Sequence, residues 1–200
     1  LRGGGSTMNE LVFLLEEPSA RAMLESLLPR VLQAGTKFRC IPFEGKQDLE
    51  RQVTRKIRGY QNPDARFIVL RDQDSHPDCR RVKQHLLDLC HASGKANQCL
   101  VRIACTELET FYLADLSAVE RALNLPGLAR HQPSRKFRFP DSLGSPSNEL
   151  KALTKGRYEK IASSRAIGEQ LDLDNDRSPS FRNLLSAIRR MESELISPAT

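Results

Sequence analysis

Short apolar runs alternate with segments of helical periodicity over the first 125 residues of the chain. Four runs have the length of a strand, and each is followed by apolar residues at every third or fourth position. The strands are predicted at Leu11–Leu15, Lys37–Phe43, Arg66–Arg71 and Gln98–Ala104. The helices are predicted at Pro18–Leu32, Gln47–Gly59, Cys79–His91 and Glu107–Leu125. This alternation predicts an α/β fold with a mainly parallel four-stranded sheet flanked by helices.

Strand signals fade after residue 127. Residues 128–148 are rich in Pro, Ser, Arg and Lys and are predicted to form a long loop. We expect an α/β core at 8–127, with the remainder, 128–200, packed on it as a loop and helices. The apolar face of the last helix suits packing on the core or on a second subunit, which leaves a homo-oligomer open. The C-terminal helices are predicted at Glu149–Lys155, Tyr158–Leu171 and Ser180–Ile196.

The amino terminus and the cysteines bear on where the protein works. The first seven residues, LRGGGST, resemble a ubiquitin-type fusion tail with a linker and are left out of the fold prediction. The longest apolar run, Leu11–Leu15, is too short to cross a membrane. The five cysteines form no CxxC pair, and an odd number suits a reducing compartment. We therefore expect a cytoplasmic protein without membrane association.

Acidic residues follow the predicted strands at or near the point where each strand ends. Because the carboxyl ends of parallel strands meet at one edge of a sheet, we expect these side chains to lie in one crevice. Carboxylate oxygens are the ligands that Mg²⁺ prefers, and Mn²⁺ accepts the same donors. The sequence therefore predicts a Mg²⁺ or Mn²⁺ site at this edge. The candidate metal ligands are Glu16, Glu17, Asp72, Asp74, Glu107 and Glu109.

The most specific acidic segment is VLRDQDS, over residues 69–75. Alternate residues of an extended segment point to the same side, so Asp72 and Asp74 can face one ion while Gln73 turns away. A turn or a helix cap is the ordinary role of such a pair. Its position after a buried-type strand, with Glu16 at the end of the first strand, favours metal binding.

These motifs carry a resemblance to known proteins. A glutamate closing the first strand, followed by a strand-terminal Asp-x-Asp, resembles the Toprim fold of topoisomerases, primases and overcoming-lysogenization-defect (OLD) nucleases. Five segments in one order resemble the DUF4276 family, a Toprim-like group of bacterial proteins, over residues 8–191. The segments are FEGKQDL (43–49), VLRDQDS (69–75), TELETFYLAD (106–115), residues 158–168 and RSPSFRNL (177–184). The implied fold is a Toprim-like, Rossmann-like sheet with a C-terminal helical extension.

The resemblance implies a metal-dependent nuclease that cleaves phosphodiester bonds of DNA or RNA. It also implies an effector of bacterial defence against phage that works with an AAA- or SMC-like ATPase partner encoded nearby. Related nucleases have a glycine and a glutamate where this chain has Glu17 and Ala20, so either Glu17 supplies a ligand or one metal ion is held more weakly. Carried over position by position, the catalytic residues are Glu16, Asp72, Asp74, Glu109 and Lys160.

Basic residues provide candidate contacts to nucleic acid. The net charge of +6 and the pI of about 9.2 suit a polyanionic partner. Phe137 and Phe139 are interleaved with basic residues and could stack on bases, although phenylalanines in a loop also anchor it to a core. Most basic stripes of this kind are simply solvated helix faces. The candidate contacts are Lys46, Arg51, Arg55, Arg135, Lys136, Arg138 and Arg165.

Two other classes of protein are compatible with these residues. The Ala20 departure fits a catalytically silent subunit that binds nucleic acid or regulates an ATPase. Acidic residues after the first strand, an aspartate after the third and a lysine are also typical of phosphorylation receiver domains. The Asp-x-Asp pair and the helical C-terminal portion favour the nuclease over the receiver. The sequence has no Walker lysine motif, so any ATP hydrolysis would come from a partner.

Overall fold

Four apolar segments pair into one sheet in the computed structural model, which describes residues 9–197. Each strand lies within one residue of its predicted bounds, because runs rich in β-branched and aromatic residues suit a buried pleated sheet. The predicted fusion remnant at residues 1–7 lies outside the described residues. The strands are β1 (Glu10–Leu15), β2 (Lys37–Pro42), β3 (Arg66–Asp72) and β4 (Cys99–Ala104).

The strand order is β2-β1-β3-β4, and every pair is parallel. The chain passes from β1 to β2 on one side and then crosses back to β3 on the other, so the winding reverses between β1 and β3. In open α/β sheets such a reversal opens a crevice at the carboxyl ends of the strands. Glu16 follows β1 and Asp72 ends β3, so both residues flank this crevice. The predicted fold class is confirmed.

Helices flank the sheet on both faces. Within residues 9–197, no helix combines the length and the apolar composition needed to span a bilayer. The α-helices in this range are α1 (Pro18–Val31), α2 (Lys46–Arg58), α3 (Cys79–Ala92), α4 (Glu109–Leu113), α5 (Leu116–Leu123), α6 (Arg135–Arg138), α7 (Pro146–Leu153), α8 (Lys160–Gln170) and α9 (Pro179–Ile196). Short 3-10 turns occur at Ala96–Gln98, Ala129–His131 and Pro140–Ser142.

Alternate residues of the strands divide between two hydrophobic clusters, because successive side chains point to opposite faces of a sheet. Val12 and Val69 pack with α2 and α3, whereas Phe13 and Leu70 pack with α1 and α9. α1 contacts β1 and β2, and α9 covers the part of this face formed by β3 and β4. The apolar face of the last helix, for which the sequence allowed two roles, therefore packs on the sheet. Its buried apolar residues include Leu184, Leu185, Ile188, Met191 and Leu195.

The helix predicted at 107–125 is wrong as a single helix, because the chain forms two helices there, α4 and α5. Asp115 separates them, and its Oδ1 accepts the backbone N–H of Ala118 at 3.0 Å as the N-cap of α5. Its Oδ2 accepts the N–H of Asp172 at 2.8 Å. All five residues of α4 are buried, and so are Leu116, Ala118 and Val119 of α5. The apolar pattern therefore continues across the break, and the sequence gives no sign of it.

The long loop predicted at 128–148 contains helical structure. α6 buries Phe137, which is 6% exposed and anchors the segment to the core, whereas Phe139 is 65% exposed. α7 begins at Pro146, three residues before the predicted start, with proline in the first turn where its missing N–H does no harm. The Pro and Ser content that predicted a loop therefore marks helix starts instead.

α8 crosses α1 at close range. A Cβ atom added at Gly168 would lie 2.5 Å from the carbonyl oxygen of Met23 and 2.6 Å from Ser26 Oγ, so only glycine fits. Ser26 Oγ also donates to the carbonyl of Arg165 at 2.8 Å. This contact seats α8, which begins at Lys160, on the α/β core.

The outer edge of β4 is covered by a side chain of the strand itself. Arg102 Nη1 donates to the carbonyl of Val101 and its Nε donates to the carbonyl of Asn183 in α9, each at 2.8 Å. The N–H of Cys105, just beyond the strand, donates to Ser180 Oγ at 3.4 Å. Charged residues on an edge strand discourage pairing with a further strand.

Candidate active site

Glu16 and Asp72 are joined at the crevice between β1 and β3. The backbone N–H of Asp72 donates to Glu16 Oε2 at 3.0 Å, and the N–H of Glu16 donates to the carbonyl of Leu70 at 3.2 Å. The parallel register, which places Leu15 opposite Leu70, brings the two acidic residues together. The Asp72 carboxylate also accepts the N–H of Leu108, so the segment after β4 closes one side of the crevice.

Glu109, the first residue of α4, brings a third carboxylate to this place. It is only 2% exposed, and its Oε1 accepts the hydroxyl of Tyr158 at 2.8 Å. Tyr158 belongs to the C-terminal portion, shortly before α8. A buried carboxylate is costly without such a partner. The negative charge of Glu109 contributes to the raised pKa of Asp72, after burial and the charges of Glu16 and Glu17.

Lys160 reaches the same carboxylates from the C-terminal portion. Its Nζ donates to Glu17 Oε2 at 2.5 Å, and Ser19 Oγ donates to Glu17 Oε1 at 2.6 Å. Burial lowers the pKa of Lys160, but the hydrogen bond to Glu17 and the charges of Glu17, Glu109 and Asp72 outweigh burial and raise that pKa. Lys160 therefore keeps its positive charge and offsets part of the negative charge of the cluster.

Burial and mutual repulsion favour the protonated form of these carboxyl groups. Burial is the largest cause that raises the pKa of Asp72 well above its ordinary value, and the charges of Glu16, Glu17 and Glu109 raise that pKa further. Burial also raises the pKa of Glu16 and of Glu109. The hydrogen bonds from the Asp72 N–H to Glu16 and from Tyr158 to Glu109 only partly oppose this rise. Perturbed carboxyl groups that share a crevice are typical of functional sites.

Asp74 does not continue the strand as an extended segment would. Its φ of 56° lies in the left-handed region, and its N–H donates to the carbonyl of Thr106 at 2.7 Å. Its Oδ2 accepts Lys46 Nζ at 2.9 Å, while its charge still acts on Glu16. Lys46 directly follows Gly45, whose N–H donates to the carbonyl of Glu16 at 2.9 Å. The loop before α2 thus holds Lys46 at the mouth of the crevice.

Glu107 and Glu109 are directed to different partners. Glu107 Oε2 accepts the N–H of Ser147 at 2.7 Å in the first turn of α7, whereas Glu109 faces Tyr158. A carboxylate is stabilised at a helix N-terminus by free N–H groups and the helix dipole. Of the two predicted ligands in this segment, the structure brings Glu109 to the other carboxylates and places Glu107 on α7.

Arg71 and Tyr158 contact the site, although neither was predicted to do so. Arg71 is 8% exposed, its Nη1 contacts Glu50 Oε1 at 2.6 Å, and its Nε lies 3.9 Å from Glu16 Oε2. An arginine inside an apolar strand, directly before Asp72, was the available signal in the sequence. Tyr158 had no local signal, because its position depends on how the C-terminal helices pack.

The predicted contacts to nucleic acid lie on several surfaces, and their role remains a prediction. Lys46 is at the crevice, and Lys136 pairs with Glu149 at 2.5 Å. The other candidates are exposed: Arg51 and Arg55 on α2, Arg135 and Arg138 on α6, and Arg165 on α8.

The donor set at the crevice suits a hard divalent cation, since it consists of carboxylate oxygens. Within residues 9–197, no three Asp, Glu, His or Cys side chains already converge in a way that could hold a metal ion. The ammonium group of Lys160 is hydrogen-bonded to Glu17, and that of Lys46 is hydrogen-bonded to Asp74. The residues therefore fit Mg²⁺ or Mn²⁺ by their chemistry, and binding through Glu17 or Asp74 requires these lysines to move.

A parallel sheet of this order, with carboxylates at its carboxyl edge and helices from the C-terminal portion on one face, defines a Toprim-like α/β protein. The model of the family described as "Domain of unknown function (DUF4276)" matches residues 15–189, so the chain belongs to this family. The C-terminal region of the Burkholderia pseudomallei OLD protein has a similar structure, with a TM-score of 0.50 and 18% identity over 92% of this chain and 98% of that chain. Both predicted resemblances are confirmed. Comparison with curated proteins finds no match.

Proposed function

We propose that this protein is a metal-dependent nuclease whose active site is formed by Glu16, Asp72 and Glu109. The observation that carries the proposal is that three separate segments bring these carboxylates to the crevice of a Toprim-like sheet, where the charges of Glu16 and Glu109 act on Asp72. Their repulsion raises the pKa of Asp72, and a bound cation would relieve it. The structural similarity to the C-terminal region of an OLD protein supports the same function.

Glu16, Asp72 and Glu109 would hold Mg²⁺ or Mn²⁺, with Glu17 and Asp74 as further ligands. The cation would neutralise charge on the scissile phosphate and lower the pKa of an attacking water. The surrounding side chains position the ligands: Tyr158 fixes one oxygen of Glu109, and Arg71 lies against Glu16.

Lys160 has the position and charge to bind the scissile phosphate. Its ammonium lies beside the carboxylates and stays protonated. Because an ammonium group is a point charge with three donors, it can leave Glu17 for a phosphate oxygen of the substrate. This transfer would place a positive charge on the phosphate and free Glu17 at the same time.

We further propose that the protein cleaves DNA or RNA in defence against phage and works with an AAA- or SMC-like ATPase partner. Family membership and the similarity to an OLD protein support this context. We place the protein in the cytoplasm, since its free cysteines suit a reducing compartment.

The direct test is cleavage of plasmid DNA and of total tRNA by the purified chain in Mg²⁺ or Mn²⁺, with EDTA as the metal-free arm. Asp74→Asn is expected to lower the cleavage rate at least about 10-fold, because it removes one carboxylate charge from the cation site. Asp88→Asn, on the exposed side of α3, is the matched control and should cleave like the wild type. Cleavage that survives EDTA would contradict the proposal, and full activity of Asp74→Asn would contradict the role of Asp74 as a ligand.

One observation favours the silent subunit as a second candidate: lysines lie on two of the carboxylates. The silent subunit predicts that the wild type binds the same DNA or tRNA but cleaves neither in any divalent metal. It also predicts that this binding survives both EDTA and Asp72→Ala. The cleavage assay thus distinguishes the two candidates, and its negative outcome directs the search to an ATPase partner.

Lys46→Met is expected to tighten the binding of Mn²⁺ to the free protein about 3-fold, the size of a typical exposed ion pair. The lysine ammonium competes with the cation for Asp74, and methionine removes the charge while keeping most of the side-chain volume. Binding is measured by Mn²⁺ electron paramagnetic resonance, without substrate. Lys151→Met, on the exposed side of α7, is the control. Equal or weaker Mn²⁺ binding by Lys46→Met would show that the two cations do not compete.

A further inference from the structure

We infer that a groove beside the crevice binds single-stranded nucleic acid, with the ring of Phe139 stacking on an unpaired base. The inference rests on the proposed function for its class of ligand. The groove consists of two depressions of about 330 and 490 Å³ that share Asp141 and Pro179. We call it the β4 groove, because the first depression follows β4 between α3 and α9 and the second reaches Phe139.

Phe139 provides the aromatic surface. It is 65% exposed, whereas Phe137, two residues earlier, is 6% exposed and fills the core. A single exposed apolar side chain is ordinary on a protein surface. This ring, however, lines a depression together with Arg138 and Arg177. An aromatic face beside guanidinium groups is the arrangement by which proteins stack on bases and follow the phosphate backbone.

The β4 groove carries a net positive charge, because five cations and two carboxylates line it. Its five cations form no salt bridge with a carboxylate in the described part of the chain, in contrast to Lys46 and Lys160. Asp141, which lines both depressions, accepts Ser178 Oγ at 2.5 Å and the Ser180 N–H at 2.8 Å at the start of α9. The cations are Arg80, Lys83, Arg102, Arg138 and Arg177, and Asp176 is a second carboxylate at the rim.

Thr106 connects the β4 groove to the proposed active site. Its carbonyl accepts the N–H of Asp74 at 2.7 Å, and its Oγ1 donates to the carbonyl of Leu143 at 2.8 Å. Leu143 follows directly on the 3-10 turn Pro140–Ser142, which includes Asp141. Thr106 therefore bonds both to the loop that carries Asp74 and to Leu143, next to the turn at the groove that carries Asp141.

The geometry favours a single strand over a duplex. In a duplex the base faces are covered by their neighbours, so a ring that lines a depression can stack only on a base that has left the helix. The excess of cations over carboxylates in the groove favours nucleic acid over an apolar protein partner, since phosphates would neutralise it. Both DNA and RNA have the required base and phosphate.

Binding is measured by fluorescence anisotropy in EDTA, so that no cleavage occurs, with labelled oligothymidylate and oligouridylate. Phe139→Ala is expected to weaken binding roughly 10-fold through loss of one stacked base. An abasic oligonucleotide of equal length should bind the wild type and Phe139→Ala with equal affinity, because it has no base to stack. Ile196→Ala removes another exposed apolar side chain and is the matched control. Arg177→Ala should weaken the binding of the abasic oligonucleotide as well as that of oligothymidylate and oligouridylate. It should also lower the salt dependence of binding by about one phosphate contact.

Each outcome supports or overturns the inference. Equal binding of oligothymidylate by the wild type and Phe139→Ala, or no binding by the wild type, would overturn it, and Phe139 would then be a candidate contact for a protein partner. Binding that depends on Phe139 in a protein that cleaves nothing would support the groove and contradict the nuclease. Cleavage that depends on Asp74, with Phe139→Ala binding normally, would support the nuclease and contradict the groove. A thermal melt checks that Phe139→Ala is folded.

Discussion

Asp72→Asn is expected to abolish metal-dependent cleavage and, at neutral pH, to make the metal-free protein more stable. The cleavage rate should fall at least about 100-fold, because a central ligand loses its charge and the cation contributes several kcal/mol to the transition state. The free energy of unfolding should rise, because a half-buried charge that its neighbours repel is removed. The asparagine oxygen can still accept the N–H of Leu108.

Two measurements check this result: the cleavage assay, and urea unfolding in EDTA. Asp88→Asn should change neither. If Asp72→Asn lowers stability in EDTA, the carboxylates do not repel one another as described. If it cleaves at the wild-type rate, Asp72 has no part in catalysis.

The same repulsion predicts how the metal-free protein responds to pH. The pKa values of Asp72, Glu16 and Glu109 are raised in the folded state, above ordinary values of 3.8 for Asp and 4.5 for Glu. The folded state therefore binds protons more tightly than the unfolded chain, and the stability from these groups is fully present below those ordinary values. It is lost as the pH rises through the raised values. Melting temperatures in EDTA should show this loss, and Mg²⁺ or the Asp72→Asn substitution should reduce it.

Gly168→Ala is expected to destabilise the protein by about 2 kcal/mol, although alanine is favoured over glycine by about 1 kcal/mol inside a helix. The new Cβ would meet the backbone carbonyl of Met23 at 2.5 Å, and that carbonyl belongs to α1 and cannot move alone. α8 must therefore shift, and Lys160 with it. Cleavage should fall with stability, because Lys160 loses its position beside Glu17.

Urea unfolding compares Gly168→Ala with Gly144→Ala. Gly144 is exposed and has no atom within 4 Å of an added Cβ, so this control should stay within about 0.5 kcal/mol of the wild type. A Gly168→Ala protein as stable as the wild type would mean that α8 does not pack closely on α1.

The strand-end carboxylates show what the sequence can predict. Apolar runs mark the strands, and parallel winding brings Glu16 and Asp72 to one crevice whatever the side-chain details. The positions of the strands follow from hydrophobic patterning, and the meeting of the two carboxylates follows from topology. The last helix could be predicted only in part. Its apolar face is visible in the sequence, but its packing partner, the β3 and β4 part of the sheet, depends on where α1 lies.

The finer arrangement of the site depends on local turns and on packing between distant segments. Glu107 and Glu109 look equivalent in the sequence, yet a left-handed Thr106 (φ 64°) and the start of α7 send them to different partners. Asp74 was expected to be extended and is left-handed. Tyr158 reaches the site from the segment before α8, and α8 lies close to α1 at Gly168. A glycine inside a helical pattern does not predict such a contact.

The Arg102 guanidinium, clamped between the carbonyls of Val101 and Asn183, limits how this protein can assemble with others. A strand that joined the sheet at β4 would have to displace the guanidinium from both carbonyls. We therefore expect complexes of this protein to leave the β4 edge unpaired, so that a partner strand could extend the sheet only at β2, the edge on the far side of the crevice from β4.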